Sequence, residues 1–259
     1  MTFPVVAMPT FISARDRSFN YGDGIFTTMQ VRDGSIQLWP LHLQRLQRSA
    51  VQLGFGAVDW HNVQQQVQAA ITAPEQVIKL LVSRGEGGRG YAPAESGVPG
   101  IYISASPMPD YRLAQQQGIS LAIATLKLAV QPLLAGLKHN NRLEQVLLKQ
   151  ELASTDADDL LVLDQLGFIT EVSAANVFLH RDGNWHTPEL QRAGVAGVMR
   201  QHILQQANIA QVNWGITELA SVDAIFICNA LMGIVPVRSI AGRTLSVSTV
   251  QQFSKQVLC

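Results

Sequence analysis

Residues 160–183 read LLVLDQLGFITEVSAANVFLHRDG. LLVLD (160–164) is a short apolar run of strand composition, and Gln165–Gly167 after it is a turn. The segment GFITEVSAANVFL passes small residues at Ser173, Ala174 and Ala175, resumes as a strand at Asn176–Leu179, and reaches a hairpin turn at Asp182-Gly183. Strands here follow one another without helical crossovers. A doubly wound sheet needs a regular strand–helix alternation, so the fold reads as α+β.

Working outward, a helix begins near Gly197, the strands AIFIC (224–228) and IVPV (234–237) follow, and a short helix ends the chain. On the other side, Ile119–Thr125 is a strand, and Asn141–Leu152 is a helix that places Leu143, Val146 and Leu147 inward. PMPDYRLAQQQG (107–118) is polar, holds two prolines and reads as a linker. The organisation expected is a smaller α+β domain over 1–110, a linker at 111–117 and a larger α+β domain over 118–259. In the first domain, Thr27–Arg32 and Ser35–Trp39 form a hairpin around Asp33-Gly34. Pro40 opens a helix with Leu43, Leu46, Ala50 and Leu53 on one face, and Gly54 ends it. A second helix follows Asp59, and Val77–Ser83 and Ile101–Ala105 are strands.

The 259 residues are 47% hydrophobic, enough for a substantial core, and carry no net charge. Only 15% are charged, against the usual quarter or so, which favours surface hidden in a homo-oligomer. There is no Lys/Arg block, so nucleic acid is not an expected partner. The two cysteines are Cys228, in an apolar run, and Cys259; they make neither a disulfide framework nor a metal site. The N-terminus lacks the charge pattern of a signal peptide, and no apolar run reaches membrane-spanning length. The expectation is a cytoplasmic protein with a small-molecule ligand and no membrane contact.

Chemistry narrows to a few residues. Of the five lysines, Lys149 and Lys255 fall on polar helix faces and Lys127 near a strand end. Lys138 lies between LLAG and HNNR, just ahead of a helix, where partial desolvation lowers a lysine pKa; an exposed lysine is the other reading. Glu171 is followed by small residues that let a flat ligand approach, or it is a carboxylate capping a turn. Gly194 and Gly197 precede a helix start whose N–H groups suit a phosphate. Arg45 could supply a matching charge, although alone it reads as a surface arginine.

Seven segments occur in order: RSFNYGDGIFTTMQV (17–31), HLQRLQRSA (42–50), SRGEGGRGY (83–91), GLKHNNRLEQVLLKQE (136–151), DDLLVLDQLGFITEVSAANVF (158–178), GVAGVMRQ (194–201) and CNALMGIVPV (228–237). Together they resemble the branched-chain-aminotransferase-like, fold-type IV pyridoxal-phosphate enzymes, over nearly the whole chain. The resemblance implies the two-domain architecture of D-amino acid aminotransferases, with the cofactor core in the larger domain. It implies pyridoxal 5'-phosphate as cofactor, carried by Lys138. Glu171 would hold the pyridine nitrogen and Arg45 the phosphate. Val198, Met199, Asn229 and Ala230 would complete that cradle, with Asn176 near the cofactor. Lys79, Arg89 and Thr27 would touch substrate, Arg89 on a mobile glycine-rich loop. A homodimer is also implied.

Aminotransferases of this fold carry a tyrosine a few residues after the lysine, where this chain has His139-Asn140-Asn141-Arg142. That departure points to the lyase branch, which splits 4-amino-4-deoxychorismate into 4-aminobenzoate and pyruvate for folate synthesis. It leaves open which group, Asn141 among them, meets the cofactor's phenolic oxygen. The alternatives are a branched-chain or D-amino acid aminotransferase and an inactive cofactor-binding protein.

Overall fold

The computed structural model describes residues 11–93 and 98–258. The first ten residues and Cys259 lie outside them. The chain divides into two compact units, one of residues 1–109 with 138–141, the other of residues 110–137 with 142–259.

The first unit runs α1 (Arg17–Tyr21), β1 (Gly24–Arg32), β2 (Ser35–Ile36), α2 (Trp39–Gln52), α3 (Trp60–Ala69), β3 (Gln76–Ser83) and β4 (Gly100–Ser106). Its sheet is antiparallel in the order β2-β1-β3-β4. Asp33 and Gly34 take positive φ (50° and 70°), the conformation of a tight hairpin turn. The hairpin's second strand is shorter than expected. Leu38 turns left-handed at φ 55°, and Trp39-Pro40 already begins α2, where proline's fixed φ suits a helix start. Alternate β1 residues Ile25, Met29 and Val31 meet Ile78, Leu80 and Val82 of β3 and Leu46 and Ala50 of α2 in one core. Asp59 caps α3 as its sequence predicts, accepting from the N–H of Asn62 at 3.0 Å.

The second unit contains α4 (Arg112–Gln117), β5 (Ile119–Ile123), α5 (Leu143–Leu152), β6 (Asp159–Leu163), β7 (Ile169–Val172), β8 (Asn176–Arg181) and β9 (Asn184–Pro188). It continues through α6 (Val198–Gln206), β10 (Ala210–Val212), β11 (Ala224–Asn229), β12 (Gly233–Ile240), β13 (Arg243–Thr244) and α7 (Val247–Val257). The sheet order is β10-β9-β8-β11-β12-β5-β6-β7, with β13 on β12. Parallel pairs (β9–β10, β5–β12, β5–β6) mix with antiparallel ones, as an α+β fold allows.

Two expectations are corrected here. Residues 112–117, read as linker, form α4 and belong to the second unit, where Gln115 donates to Met232 O at 2.8 Å. Helix α5 does form, but Leu143, Val146 and Leu147 face outward, 77%, 51% and 49% exposed. Its inner face is Leu148, packed with Leu160 and Val162, flanked by Glu144 and Glu151. These carboxylates accept from the N–H groups of Ala129 and Leu126. The helix carries two apolar stripes, and periodicity alone does not say which one packs. Among the described residues, no helix is long and apolar enough to cross a membrane.

Candidate active site

In the first unit, the segment carrying Lys138 pairs with the start of β1. Phe26 N–H donates to Lys138 O and Asn140 N–H to Gly24 O, both at 2.9 Å. Lys138 is half-buried, its Nζ 4.6 Å from the centre of the Phe26 ring. Lys79 Nζ stands 5.0 Å from that same ring. Lys79 pairs across the sheet with Thr28, two residues from Phe26, so period-2 alternation puts them on one face. The face opposite the core therefore gathers both lysines on one aromatic ring, which attracts cations through its π face. Asn141 directs its amide to Gly22 O at 3.3 Å, and Asn140 bonds Ser18 Oγ.

On the core face, Thr27 and His42 are fully buried. Thr27 Oγ1 lies 2.6 Å from His42 Nδ1 and 2.6 Å from Arg45 Nη2. Burial pushes the imidazole down from 6.5 to about 3, and the positive charges of Arg45 and Lys138 push the same way. His42 is therefore neutral in the native protein. The unfolded chain binds a proton near pH 6.5 and the native one only near pH 3, so stability falls as pH drops through that window. The loss is on the order of 4 kcal/mol at its full extent. Acid unfolding of the wild type beside His42→Leu checks this: the variant should show a shallower loss between those two pH values.

Tyr91 and Ala92, just after Arg89, are hydrogen-bonded to Arg17. Arg17 donates to Tyr91 O at 2.8 Å and Ala92 O at 3.0 Å, and its Nε bonds Asp23 Oδ2 at 2.8 Å. Arg84 bonds the same Asp23 oxygen at 2.7 Å. Burial raises the Asp23 pKa, but hydrogen bonds from Arg84 and Arg17 outweigh it and hold it below the usual carboxylate range. Arg89 itself is exposed.

In the second unit, Glu171 sits inside β7, only 5% exposed, rather than in a turn. Its Oε2 accepts from Val195 N–H at 2.9 Å. Arg142 and Glu171 attract each other electrostatically, which partly offsets the burial that lowers the arginine's pKa. Asn176 faces the same turn: it donates to Val195 O at 2.8 Å and accepts from Gly197 N–H at 3.1 Å. A Cβ on Gly197 would stand 2.1 Å from Asn176 Oδ1, so only glycine fits. Gly197 begins α6 and no side chain caps that start, leaving the first-turn amides at Val198 and Met199 for an anion. The Val198 side chain is buried, and that of Met199 packs against a core cluster, so their contribution is backbone. Asn229 spends its side chain locally: Oδ1 accepts from Leu231 and Met232 N–H at 2.9 Å, and Nδ2 donates to Ala174 O at 3.2 Å. It shapes the turn containing Ala230.

The first unit thus gathers Lys138 and Lys79 at Phe26 on one face of its sheet and Thr27 with Arg45 on the other, and the second holds Glu171, Asn176, Val198 and Met199, with Asn229 and Ala230 in the turn after β11. Each unit by itself offers groups of the kind a phosphorylated aldehyde with a basic ring nitrogen takes: a lysine amine and an arginine in the first, an uncapped helix start and a buried carboxylate in the second. His42, Arg17 and Arg142 were not singled out from sequence. His42 could have been, since it lies three residues before Arg45 and shares its helix face.

Amino-transferase class IV is the family description that matches residues 24–240. Aminodeoxychorismate lyase of Vibrio harveyi is 37% identical over 90% of this chain and 88% of its own length. The crystal structure of 4-amino-4-deoxychorismate lyase from Pseudomonas aeruginosa superposes with a TM-score of 0.89 at 39% identity, covering 95% of this chain and 94% of the other. Branched-chain amino acid aminotransferase of Escherichia coli shares the fold, with a TM-score of 0.82 at 22% identity over 93% of this chain and 88% of its own. The match spans both β1 and β12, and on it the chain belongs to the amino-transferase class IV family.

Proposed function

We infer that this chain is a pyridoxal-phosphate-dependent lyase that converts 4-amino-4-deoxychorismate to 4-aminobenzoate and pyruvate. The observation that carries the reading is the 39% identity and 0.89 TM-score, over nearly both whole chains, to a lyase of that activity. The cofactor, when bound, supplies an electron sink through its protonated ring. Glu171 would pair with that ring nitrogen and favour its protonated form, as a buried carboxylate fixed by Val195 N–H can. Arg45 would pair with the phosphate by its charge, and in the second unit the uncapped start of α6 is an anion-binding element in its own right.

Lys138 would carry the cofactor, and its free amine is the general base of the reaction. It takes the ring proton from the carbon bearing nitrogen and delivers a proton to the enolpyruvyl methylene carbon. The carbon–oxygen bond to the ring breaks, pyruvate leaves, and the ring becomes aromatic. Lys79 and Arg89 meet the substrate's carboxylates. In a cell the reaction belongs to cytoplasmic folate synthesis.

The test is to supply purified holoenzyme with 4-amino-4-deoxychorismate and follow pyruvate and 4-aminobenzoate together. Equimolar release supports the lyase. No release, with amino-group transfer from a branched-chain or D-amino acid to 2-oxoglutarate, replaces it with an aminotransferase.

The working form is a homodimer, for which the outward stripe of α5 supplies apolar surface that a lone chain would leave in water. Leu143→Asp with Leu147→Asp should shift the protein from dimer to monomer in sedimentation without lowering its helix content. A dimer that survives both changes removes α5 from the interface.

A further inference from the structure

His42 is an unusual investment. It is a fully buried imidazole on the helix face that also buries Leu46, Ser49 and Ala50, between Leu41 and Leu43 in sequence and close to two cations. Only one of its nitrogens is satisfied: Nδ1 meets Thr27 Oγ1, while Nε2 is buried with no hydrogen-bond partner among the described residues. An unpartnered buried N–H costs stability, and leucine here would avoid that cost.

The hydrogen-bond chain suggests what the histidine does. A guanidinium only donates, so Thr27 Oγ1 must accept from Arg45 Nη2. The hydroxyl's own hydrogen then has His42 Nδ1, 2.6 Å away, as its acceptor. Taking that hydrogen turns the oxygen's lone pairs toward Arg45. Thr27 is fully buried on a central strand and has little freedom to do otherwise. The order is fixed: imidazole accepts, hydroxyl donates and accepts, guanidinium donates. Each bond polarises the next.

We propose that His42 is a positioning residue which, through Thr27, sets the Arg45 guanidinium for the cofactor's phosphate. This rests on the reading of Arg45 as the phosphate ligand. It also moves Thr27 from the substrate contacts to the cofactor's support.

The test compares the affinities of pyridoxal 5'-phosphate and of pyridoxal, which lacks the phosphate, for protein stripped of cofactor, each measured by absorbance titration. Their ratio isolates the phosphate's contribution. Arg45→Gln should lower the ratio about a hundredfold, through loss of a charge-assisted contact. His42→Leu should lower it about tenfold, and so should Thr27→Val, which keeps the side chain's shape. His42→Asn, whose amide oxygen can accept near the Nδ1 position, should retain most of it. If Arg45→Gln lowers the ratio while Thr27→Val and His42→Leu weaken both compounds equally, the histidine is only a packing residue and the proposal is overturned. Should His42→Leu fail to fold, Thr27→Val decides alone, because it breaks the same link from the other side. A ratio unmoved by Arg45→Gln instead removes Arg45 from the phosphate site, a separate failure.

Discussion

Lys138→Ala is expected to abolish turnover, by about 10⁴-fold or more, while the protein still folds and retains cofactor weakly. Two functions vanish with one amine: the covalent anchor and the base that moves the proton. Folding should survive because the segment's contribution to the first unit is through its backbone. Phe26 N–H bonds Lys138 O whatever the side chain. The contact over the Phe26 ring is among those lost, and a cation–π contact is worth only about 0.5–2 kcal/mol. The visible absorbance of the holoenzyme should disappear in the variant. An amine added in solution should recover neither full rate nor anchoring, since it lacks the oriented tether. Turnover within tenfold of wild type would end the assignment of Lys138.

Glu171→Gln carries the second large effect, a loss of about 10²–10³ in kcat with cofactor affinity changed far less. The reason lies in a backbone amide. Val195 N–H can only donate, and it points at Oε2 from 2.9 Å. A glutamine must therefore turn its carbonyl oxygen to Val195 and present its NH₂ at the other position. A donor there opposes protonation of the ring nitrogen, where the carboxylate favours it. The phosphate contacts are untouched, which is why affinity and rate should separate. Single-turnover kinetics on the holoenzyme, with cofactor titration alongside, makes the measurement. A proportional fall in both would mean that Glu171 only holds the turn at Val195. Gly194 keeps that turn tight: at φ 83°, a Cβ there would approach Glu171 Oε2 to 3.2 Å.

Strand runs and turn chemistry made most of the architecture legible. Asp33-Gly34 and Asp182-Gly183 do take the positive φ values their sequence suggests, although the strand after the first of them ends at Ile36 rather than Trp39. Failures came where local pattern supports two answers. The apolar residues of α5 fit an inward stripe, and the chain uses the other one because Leu148 reaches the core between two carboxylates that bind backbone. Residues 112–117 are polar enough for a linker, and contacts with residues more than a hundred positions on, Gln115 with Met232 and Gln116 with Gln251, make them part of a unit. The candidate site was readable as an ordered series of motifs, but its supporting contacts were not. His42 looks like a polar interruption in a helix face until sheet and helix pack and Thr27 arrives beneath it. Asn229 accepts with its side-chain oxygen from its own turn and donates with its amide to Ala174 O, contacts that no local pattern shows.

The division of the chain has a kinetic consequence. Residues 138–141 belong to the first unit, yet all of 110–137 is made before them. Their pairing with Gly24 and Phe26 closes a loop of more than a hundred residues, a contact whose entropic cost falls late in folding. During synthesis the β1 edge must wait, unpaired at its first residues, until position 141 has left the ribosome. A fragment ending at residue 109 should consequently be a poor folder, its open strand edge prone to capture by another copy. Adding residues 138–141 back through a short designed connection should restore soluble expression.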